Sequence, residues 1–499
     1  MRVMTAHGEV RGEVLESESA GPVGVFRGLP FASAPRFGRP GPPASWSGVR
    51  DATAYGPAAP QNPDPVHQRM VGAAPFPVAE EGCLTLNVWT PAADDTRRPV
   101  LVWIHGGAFL NGSGRDPMFD GARLAARGDV VVVTLNYRLG VFGFLQLEGR
   151  PGSGNLGLLD QVAALEWVRA DIAAFGGDPG NVTVFGQSAG AMSVAALLAV
   201  PAAEGLFHKA VVQSGSAEGV PDAAAAAVVT REFLGLLGLG ESSVDRLADL
   251  PMEELLRAQG ELVAVMQARG GMGMPFGPVV DGSVLIGQPL DAVRGGSAVG
   301  IPLIVGANLE EGRMFTELVP DPPPVGADTV AALAGAFFPD GGKALEVLRR
   351  IERDATPAGL LAALLGEHLF RAPGIRLAQA HAEARARVRP DDPSTVWAYL
   401  FGWPSTAADG RLGACHSLEL PFVFDTLGAP GTERFTGPGA PQALADEISG
   451  SWARFAHHGT PGGHWPAYAR ASRWTRVFDV PSRTEQDPRS ELRLLWDRA

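Results

Sequence analysis

The chain has 499 residues, a formal charge of −13 and a pI near 5.3. That acidity argues against nucleic acid and anionic membrane surfaces as partners. Only two cysteines are present, Cys83 and Cys415, so no disulfide framework is indicated. No apolar run reaches the roughly 18 residues of a membrane span. Residues 1–15 carry Arg2, Glu9, Arg11 and Glu13 and lack the apolar stretch of a secretion signal, so a cytoplasmic protein is expected. Lysine appears only at 209 and 343, a bias expected of a GC-rich bacterial genome. Length alone would suggest about three domains. Pro and Gly are scattered without forming a linker, so one large α/β domain over residues 1–499 is expected instead.

Residues 1–35 read as paired short strands with glycine turns. Residues 36–80 are rich in Pro and Gly and read as surface loops. Residues 100–104 and 130–137 are apolar strands with a helical segment, 119–127, between them. That is a strand–helix–strand unit, which implies a parallel sheet. Residues 155–175 read as a long amphipathic helix with Leu158, Val162, Leu165 and Val168 on one face. Residues 181–185 are a short β-branched and aromatic strand, and 189–200 a helix of small residues. Further apolar strands are expected at 210–213, 302–305 and 396–401. Residues 222–270 and 326–388 read as helical excursions roofing one end of the sheet, and 443–457 as a C-terminal helix.

Between the strand 181–185 and the helix that follows lies Gly186-x-Ser188-x-Gly190. A tight strand-to-helix turn leaves room only for glycine beside its central residue and pushes Ser188 outward. The Ala189 amide, at the helix start, is then free to donate to an anion. A serine hydroxyl is a poor nucleophile until a histidine takes its proton, and that histidine needs a carboxylate. In such folds the order is Ser, acid, His, each after a strand. The strand 302–305 leads to Glu310 and Glu311, and spacing does not choose between them. The strand 396–401 leads to His416. After the strand 100–104, His105-Gly106-Gly107-Ala108 offers two consecutive small-residue amides for an oxyanion, with Ala189 as a third donor. Gly152-Ser153-Gly154-Asn155-Leu156-Gly157 mimics a dinucleotide motif, but no strand precedes it. His457-His458 and His416-x-x-Glu419 lack a complete metal-ligand set.

These segments together resemble the type-B carboxylesterase family, which includes cholinesterases and bacterial p-nitrobenzyl esterases. The resemblance runs through Glu81-Gly82-Cys83-Leu84-Thr85-Leu86-Asn87-Val88-Trp89. It continues from Gly154 to Gln161, through Phe185-Gly186-Gln187-Ser188-Ala189-Gly190, and into His416-Ser417-Leu418-Glu419-Leu420-Pro421-Phe422. It implies an α/β-hydrolase fold with a large, mostly parallel sheet flanked by helices. It also implies Glu311, just before Gly312, as the acid; Gly107, Ala108 and Ala189 as oxyanion donors; and Ser214 as a hydroxyl supporting the acid. Arg36, Glu81 and Arg138 match a buried ion cluster of the family.

Two departures bear on substrate. Gln187 stands where many members carry Glu, and residues 61–82 lack the Trp of choline-binding members. Neutral acyl esters are therefore expected over choline esters. The reading is a serine carboxylesterase working through an acyl-enzyme, on a small-molecule ester, with no cofactor and no metal. No nucleic acid or membrane partner is expected, and the state is monomer or small homo-oligomer. An amidase or carbamate hydrolase using the same triad is the alternative, and a non-catalytic scaffold of the same fold a further one. The pocket is expected to draw on Met266, Met272, Met274, Phe276, Phe315, Phe401, Trp403 and Phe422.

Overall fold

The computed structural model describes residues 1–16, 21–72, 74–269, 274–319, 324–352 and 355–496. Its strands, in chain order, are β1 (Arg2–Thr5), β2 (Gly8–Arg11), β3 (Glu13–Leu15), β4 (Val23–Pro30), β5 (Val49–Asp51), β6 (Thr85–Thr90), β7 (Arg98–Ile104), β8 (Val131–Leu135), β9 (Gly177–Gln187), β10 (Lys209–Gln213), β11 (Leu303–Asn308), β12 (Val396–Phe401), β13 (Trp474–Phe478) and β14 (Arg483–Gln486). Eleven of these form one sheet, ordered β14-β13-β12-β11-β10-β9-β7-β8-β6-β4-β3, while β1, β2 and β5 form a small separate sheet. Every neighbouring pair from β13 across to β8 is parallel. The margins at β14 and at β6, β4 and β3 are antiparallel. The strand–helix–strand unit expected after residue 100 is β7, the helix Ala122–Gly128 and β8, paired in parallel.

Alternation along the central strands builds a core on each face of the sheet. Val100, Val102 and Ile104 of β7 join one core, with Leu158 and Val194 from the helices Leu156–Asp171 and Ala189–Leu197. Leu101 and Trp103 join the other, with Leu124 and with Trp452 from the helix Gln442–His458. Neither side of these strands meets water, which is why they read as unbroken apolar runs.

Several expectations need correction. The helix Leu156–Asp171 is not amphipathic in its surroundings. Leu158, Val162, Leu165 and Val168 are buried as expected, but so are Gly157, Asp160, Gln161 and Trp167. Residues 36–80 are not loops throughout, since they contain β5 and the helix Pro65–Val71. Of the excursions, the helix Ala372–Val388 flanks the sheet, packing against β11 and β12. The helices Ala327–Phe337, Gly341–Ile351 and Pro357–Gly366 build a third core, closed by Trp496. The strands β6, β13 and β14 were not foreseen as elements.

The ion cluster is also arranged differently. Glu81 is exposed. Arg36 binds the neighbouring Glu80, with Nε to Oε2 at 2.6 Å. Arg138 binds Asp160, with Nε to Oδ2 at 2.8 Å and Nη2 to Oδ1 at 2.7 Å. The Arg138 amide donates to the same carboxylate at 3.0 Å. Asp160 is fully buried, so its charge persists only because three donors meet it. Asp160→Ala leaves the Arg138 guanidinium unpaired in the core. Urea unfolding should register a loss of about 3–5 kcal/mol, whereas Glu81→Ala should cost less than about 0.5 kcal/mol.

Candidate active site

Register places the site. In the parallel ladder Ile104 pairs with Gly186, Gln187 with Gln213, Gln213 with Gly306, and Asn308 with Phe401. The carboxyl ends of β7, β9, β10, β11 and β12 therefore lie side by side, and the loops leaving them share one edge. Ser188 follows β9 directly, with φ 57° and ψ −126°. A non-glycine residue held there carries about 1–3 kcal/mol of strain. The turn is tight enough that a Cβ on Gly190 would sit 2.0 Å from the Ile104 carbonyl oxygen. A Cβ on Gly186 would sit 2.5 Å from that of Gly190. Both glycines are thus demanded by backbone contact.

The loop after β7 runs past Ser188. A Cβ on Gly106 would lie 3.1 Å from the Ser188 Cβ. Gly107 and Ala108 both have positive φ, 108° and 55°. The amides of Gly107, Ala108 and Ala189 make no hydrogen bond among the described residues. His105 anchors this loop. Its Nδ1 lies 2.8 Å from the Gly106 oxygen, its ring stacks on Tyr137 at 4.5 Å, and the Tyr137 hydroxyl donates to its carbonyl. Burial pulls the His105 pKa down to about 4, so the ring is neutral and acts by position.

Glu311 and His416 meet behind Ser188. Glu311 Oε2 lies 2.5 Å from His416 Nδ1, and both side chains are buried. The Ser214 hydroxyl and the Asn308 amide each donate to Glu311 Oε1 at 2.6 Å. The rings of Phe370 and Phe315 flank the imidazole at 4.4 and 5.4 Å. Glu310 points elsewhere: it pairs with Arg313 at 2.9 Å and accepts from the Ala414 amide at 2.9 Å.

One contact differs from the expected relay. His416 Nε2 faces the side-chain amide of Gln187 at 3.0 Å, and Ser188 Oγ makes no hydrogen bond among the described residues. With Nδ1–H donated to Glu311, Nε2 is the acceptor and the Gln187 amide the donor. Gln187 therefore touches the imidazole itself.

The cavity in front of these groups has a volume of about 350 Å³ and is lined by Gly106, Gly107 and Gln187. Of the residues expected to form the pocket, Phe315 lies at the imidazole. Phe401, Trp403 and Phe422 do not line the cavity, because they pack on one another in the core in tilted and edge-to-face pairs, with rings 5.1–5.3 Å apart. Phe276 is likewise buried, against Phe233, and Met266 packs on the same core. Met274 is partly exposed, and Met272 lies outside the described residues. Met70, Phe76, Met118, Phe119, Met314 and Leu420 supply the apolar lining instead. Met70 and Phe76 come from the stretch 36–80 that reads as loops, so no pattern marked them.

A second carboxylate, Glu419, lies under this pair. It accepts from the Asn308 amide group at 2.7 Å and from Gln213 at 3.2 Å. Burial, and then the charge of Glu311, push its pKa up from 4.5 to about 7. Cys83 and Cys415 are both buried and unpaired.

A fold and a site of this kind define an esterase of the α/β-hydrolase class, and the chain's likenesses agree. Residues 1–336 and 346–492 match the model of the carboxylesterase family, and the chain belongs to that family. It is 40% identical to the para-nitrobenzyl esterase of Bacillus subtilis, over 98% of this chain and 97% of that one. It is 36% identical to the phenmedipham hydrolase of Pseudarthrobacter oxydans, over 88% and 87%. Among solved structures, the Geobacillus stearothermophilus carboxylesterase EST55 superposes with a TM-score of 0.85 at 40% identity, covering 99% of both chains. The protein is a carboxylic-ester hydrolase. No helix among the described residues is long and apolar enough to cross a membrane.

Glu419 makes stability depend on pH. Its folded pKa lies above the unfolded value, so its contribution is full while it is protonated, below about 4.5, and is lost as pH rises through about 7. Urea unfolding at pH 5 and pH 8.5 should differ by about 1–3 kcal/mol in favour of pH 5 from this group. Glu419→Gln should flatten that difference.

Proposed function

We propose that Ser188 is the nucleophile, His416 the general base and Glu311 the acid of a serine carboxylesterase. The observation that carries the reading is the buried 2.5 Å contact of Glu311 with His416 Nδ1 beside the strained Ser188 turn. Glu311 fixes the tautomer that leaves Nε2 a lone pair, and it stabilises the imidazolium formed when Nε2 takes the Ser188 proton. Ser188 Oγ attacks the ester carbonyl. The amides of Gly107, Ala108 and Ala189, which have no partner among the described residues, hold the oxyanion. His416 returns the proton to the departing alcohol, and a water repeats the sequence on the acyl-enzyme. For Ser188 to reach Nε2, the Gln187 amide swings aside. The reaction needs no cofactor. We place the substrate among small neutral esters, with neither nucleic acid nor membrane as partner, and the enzyme as a monomer or small homo-oligomer in the cytoplasm. Two buried free thiols support that compartment.

The relative named for phenmedipham favours a second test, on other leaving groups. With a matched acyl group, kcat/KM for a p-nitrophenyl ester should exceed that for the p-nitroanilide and the N-methyl carbamate by at least about 10². The reverse order would make the protein an amidase or carbamate hydrolase.

Three substitutions test the residue roles. Ser188→Ala should abolish turnover of p-nitrophenyl acetate while the circular dichroism spectrum is kept. Glu311→Gln should lower kcat by at least about 10², since loss of the acid in other triads costs about 10⁴. Glu310→Gln keeps an acceptor for the Ala414 amide and should cost less than about tenfold.

A further inference from the structure

The turn that carries two of the proposed oxyanion donors is braced by a side chain of the cavity wall. A peptide unit is planar, so whatever holds its carbonyl also aims the N–H on its other side. The Ala108 amide shares its peptide with the Gly107 carbonyl. That oxygen accepts from the Leu110 amide at 2.9 Å and from the Asn111 amide at 3.0 Å. The Gly107 amide shares its peptide with the Gly106 carbonyl, which accepts from His105 Nδ1 at 2.8 Å. Gly112 backs this second carbonyl. A Cβ on Gly112, whose φ is 113°, would sit 2.6 Å from the Gly106 oxygen and 2.5 Å from His105 Nδ1. The turn is also closed on its inner side, since a Cβ on Gly107 would sit 2.0 Å from the Asn111 carbonyl oxygen.

Gln61 fastens Gly112 at both of its backbone groups. Its Oε1 accepts from the Gly112 amide at 2.9 Å, and its Nε2 donates to the Gly112 carbonyl at 2.9 Å. The other Nε2 hydrogen goes to the Ala59 carbonyl at 3.0 Å, so both donors of the side-chain amide are used. The two ends of that amide cannot be exchanged, because the Gly112 N–H needs an oxygen and the Gly112 carbonyl a donor. Asn62, the next residue, donates through Nδ2 to the Leu256 carbonyl at 2.9 Å, which ties this stretch to the helix Met252–Ala268. The loop has supports on either side of Gly112. The Gly140 amide donates to the Phe109 carbonyl at 2.7 Å, and the Ser113 hydroxyl and Gly114 amide donate to Asn136 Oδ1 at 2.9 Å. None of these touches residues 110–112, which hold the two carbonyls; Gln61 does.

We infer that Gln61 is a positioning residue of the reaction: by clamping Gly112 it holds the peptides that aim the Gly107 and Ala108 amides at the oxyanion. Gln61 lines the cavity beside Gly106 and Gly107, but its effect runs through Gly112. Without the clamp, Gly112 draws back from Gly106 and the two amides lose their common aim, while Glu311 and His416 keep their contact. The loss therefore falls on the tetrahedral oxyanion, where charge develops, and not on the planar ester. The inference rests on the oxyanion and triad reading above, since that reading gives the two amides their task.

The test compares Gln61→Met, which keeps the length and removes both bonds, with Gln61→Asn, which keeps the amide but is one methylene too short. On p-nitrophenyl acetate each should lower kcat by about 10- to 100-fold with KM kept within about threefold, a smaller loss than the roughly 10²–10³ of deleting a donor outright. The acid limb of the kcat/KM pH profile should stay where the wild type has it, because Gln61 does not touch His416. Phenethyl trifluoromethyl ketone adds Ser188 Oγ at its carbonyl carbon and so forms a tetrahedral oxyanion. Its affinity should fall by about the same factor as kcat/KM. The matching carbinol forms no oxyanion and should bind wild type and both variants within about threefold. Wild-type kcat in the folded variants, or a loss in kcat that the ketone does not follow, overturns the inference. So does a loss carried equally by KM and the carbinol, which would make Gln61 plain cavity wall. A shifted acid limb, or failure of both variants to fold by circular dichroism, overturns it as well. Ser188→Ala reports the triad reading separately: with Gln61 intact it should reduce the ketone to the affinity of the carbinol, and if it does not, that reading fails whatever the Gln61 variants do.

Discussion

The site depends on how closely two backbones approach at the end of β9. The Ile104 carbonyl oxygen lies 2.0 Å from the place a Cβ would take on Gly190, and the Gly190 carbonyl closes on Gly186 in the same way. Any side chain there would push the helix Ala189–Leu197 away from β7 and β9. The helix would then lose its seat on the sheet, and the Ala189 amide its direction. Because the turn is so short, Ser188 is forced to positive φ. That strain is sustained by the packing on both sides of it, where β9 is buried from Val182 to Gln187. The loop 105–108 is held by the same contact, since a Cβ on Gly106 would also press on Gln187 and Ser188. One close approach thus sets the Ser188 turn and, among the described residues, the unpartnered amides together.

Electrostatics behind the turn follow from burial. Glu311 is nearly inaccessible, yet its carboxylate meets donors from Ser214, Asn308 and His416. A buried charge with three donors is sustainable, and one with fewer would be costly. Glu419 shares Asn308 with it and lies in the same dry region, where burial first and then the charge of Glu311 raise the Glu419 pKa. Glu311 is the carboxylate that meets the imidazole. Glu310, one residue earlier, spends its charge on Arg313 and on the loop that carries His416. Adjacent carboxylates therefore do different work, one turned inward to the imidazole and one bracing the backbone.

Much of this was legible in the sequence. The central strands were visible because both of their faces are apolar, and the turn at Ser188 because only glycines fit around it. That Glu311 meets His416 beside the Ser188 turn was expected from their order after strands together with the family resemblance. Spacing alone left Glu310 and Glu311 equal, because what separates them is which side chain meets Ser214 and Asn308. The cavity wall was much less legible. Phe401, Trp403 and Phe422 looked suitable by size and position, but packing in the core consumes them. The actual lining comes in part from residues 61–78, a stretch whose Pro and Gly content hid a short helix. Neighbouring acids were confused for the same reason at Glu80 and Glu81, where one residue of offset decides which side chain turns inward.

Gln187 shows how one substitution at a turn redirects the chemistry around it. The side chain at 187 is buried and abuts the imidazole, so whatever stands there interacts with Nε2. A carboxylate could only accept from Nε2, which favours a proton on that nitrogen and adds a third buried acid to Glu311 and Glu419. An amide can donate, which favours the lone pair on Nε2 that a general base requires, and it adds no charge. For the proposed nucleophile the amide is also a competitor, since it occupies the Nε2 lone pair. In the proposed reaction, one hydrogen bond is exchanged for another as Gln187 turns away and Ser188 turns in, so little net bonding is lost.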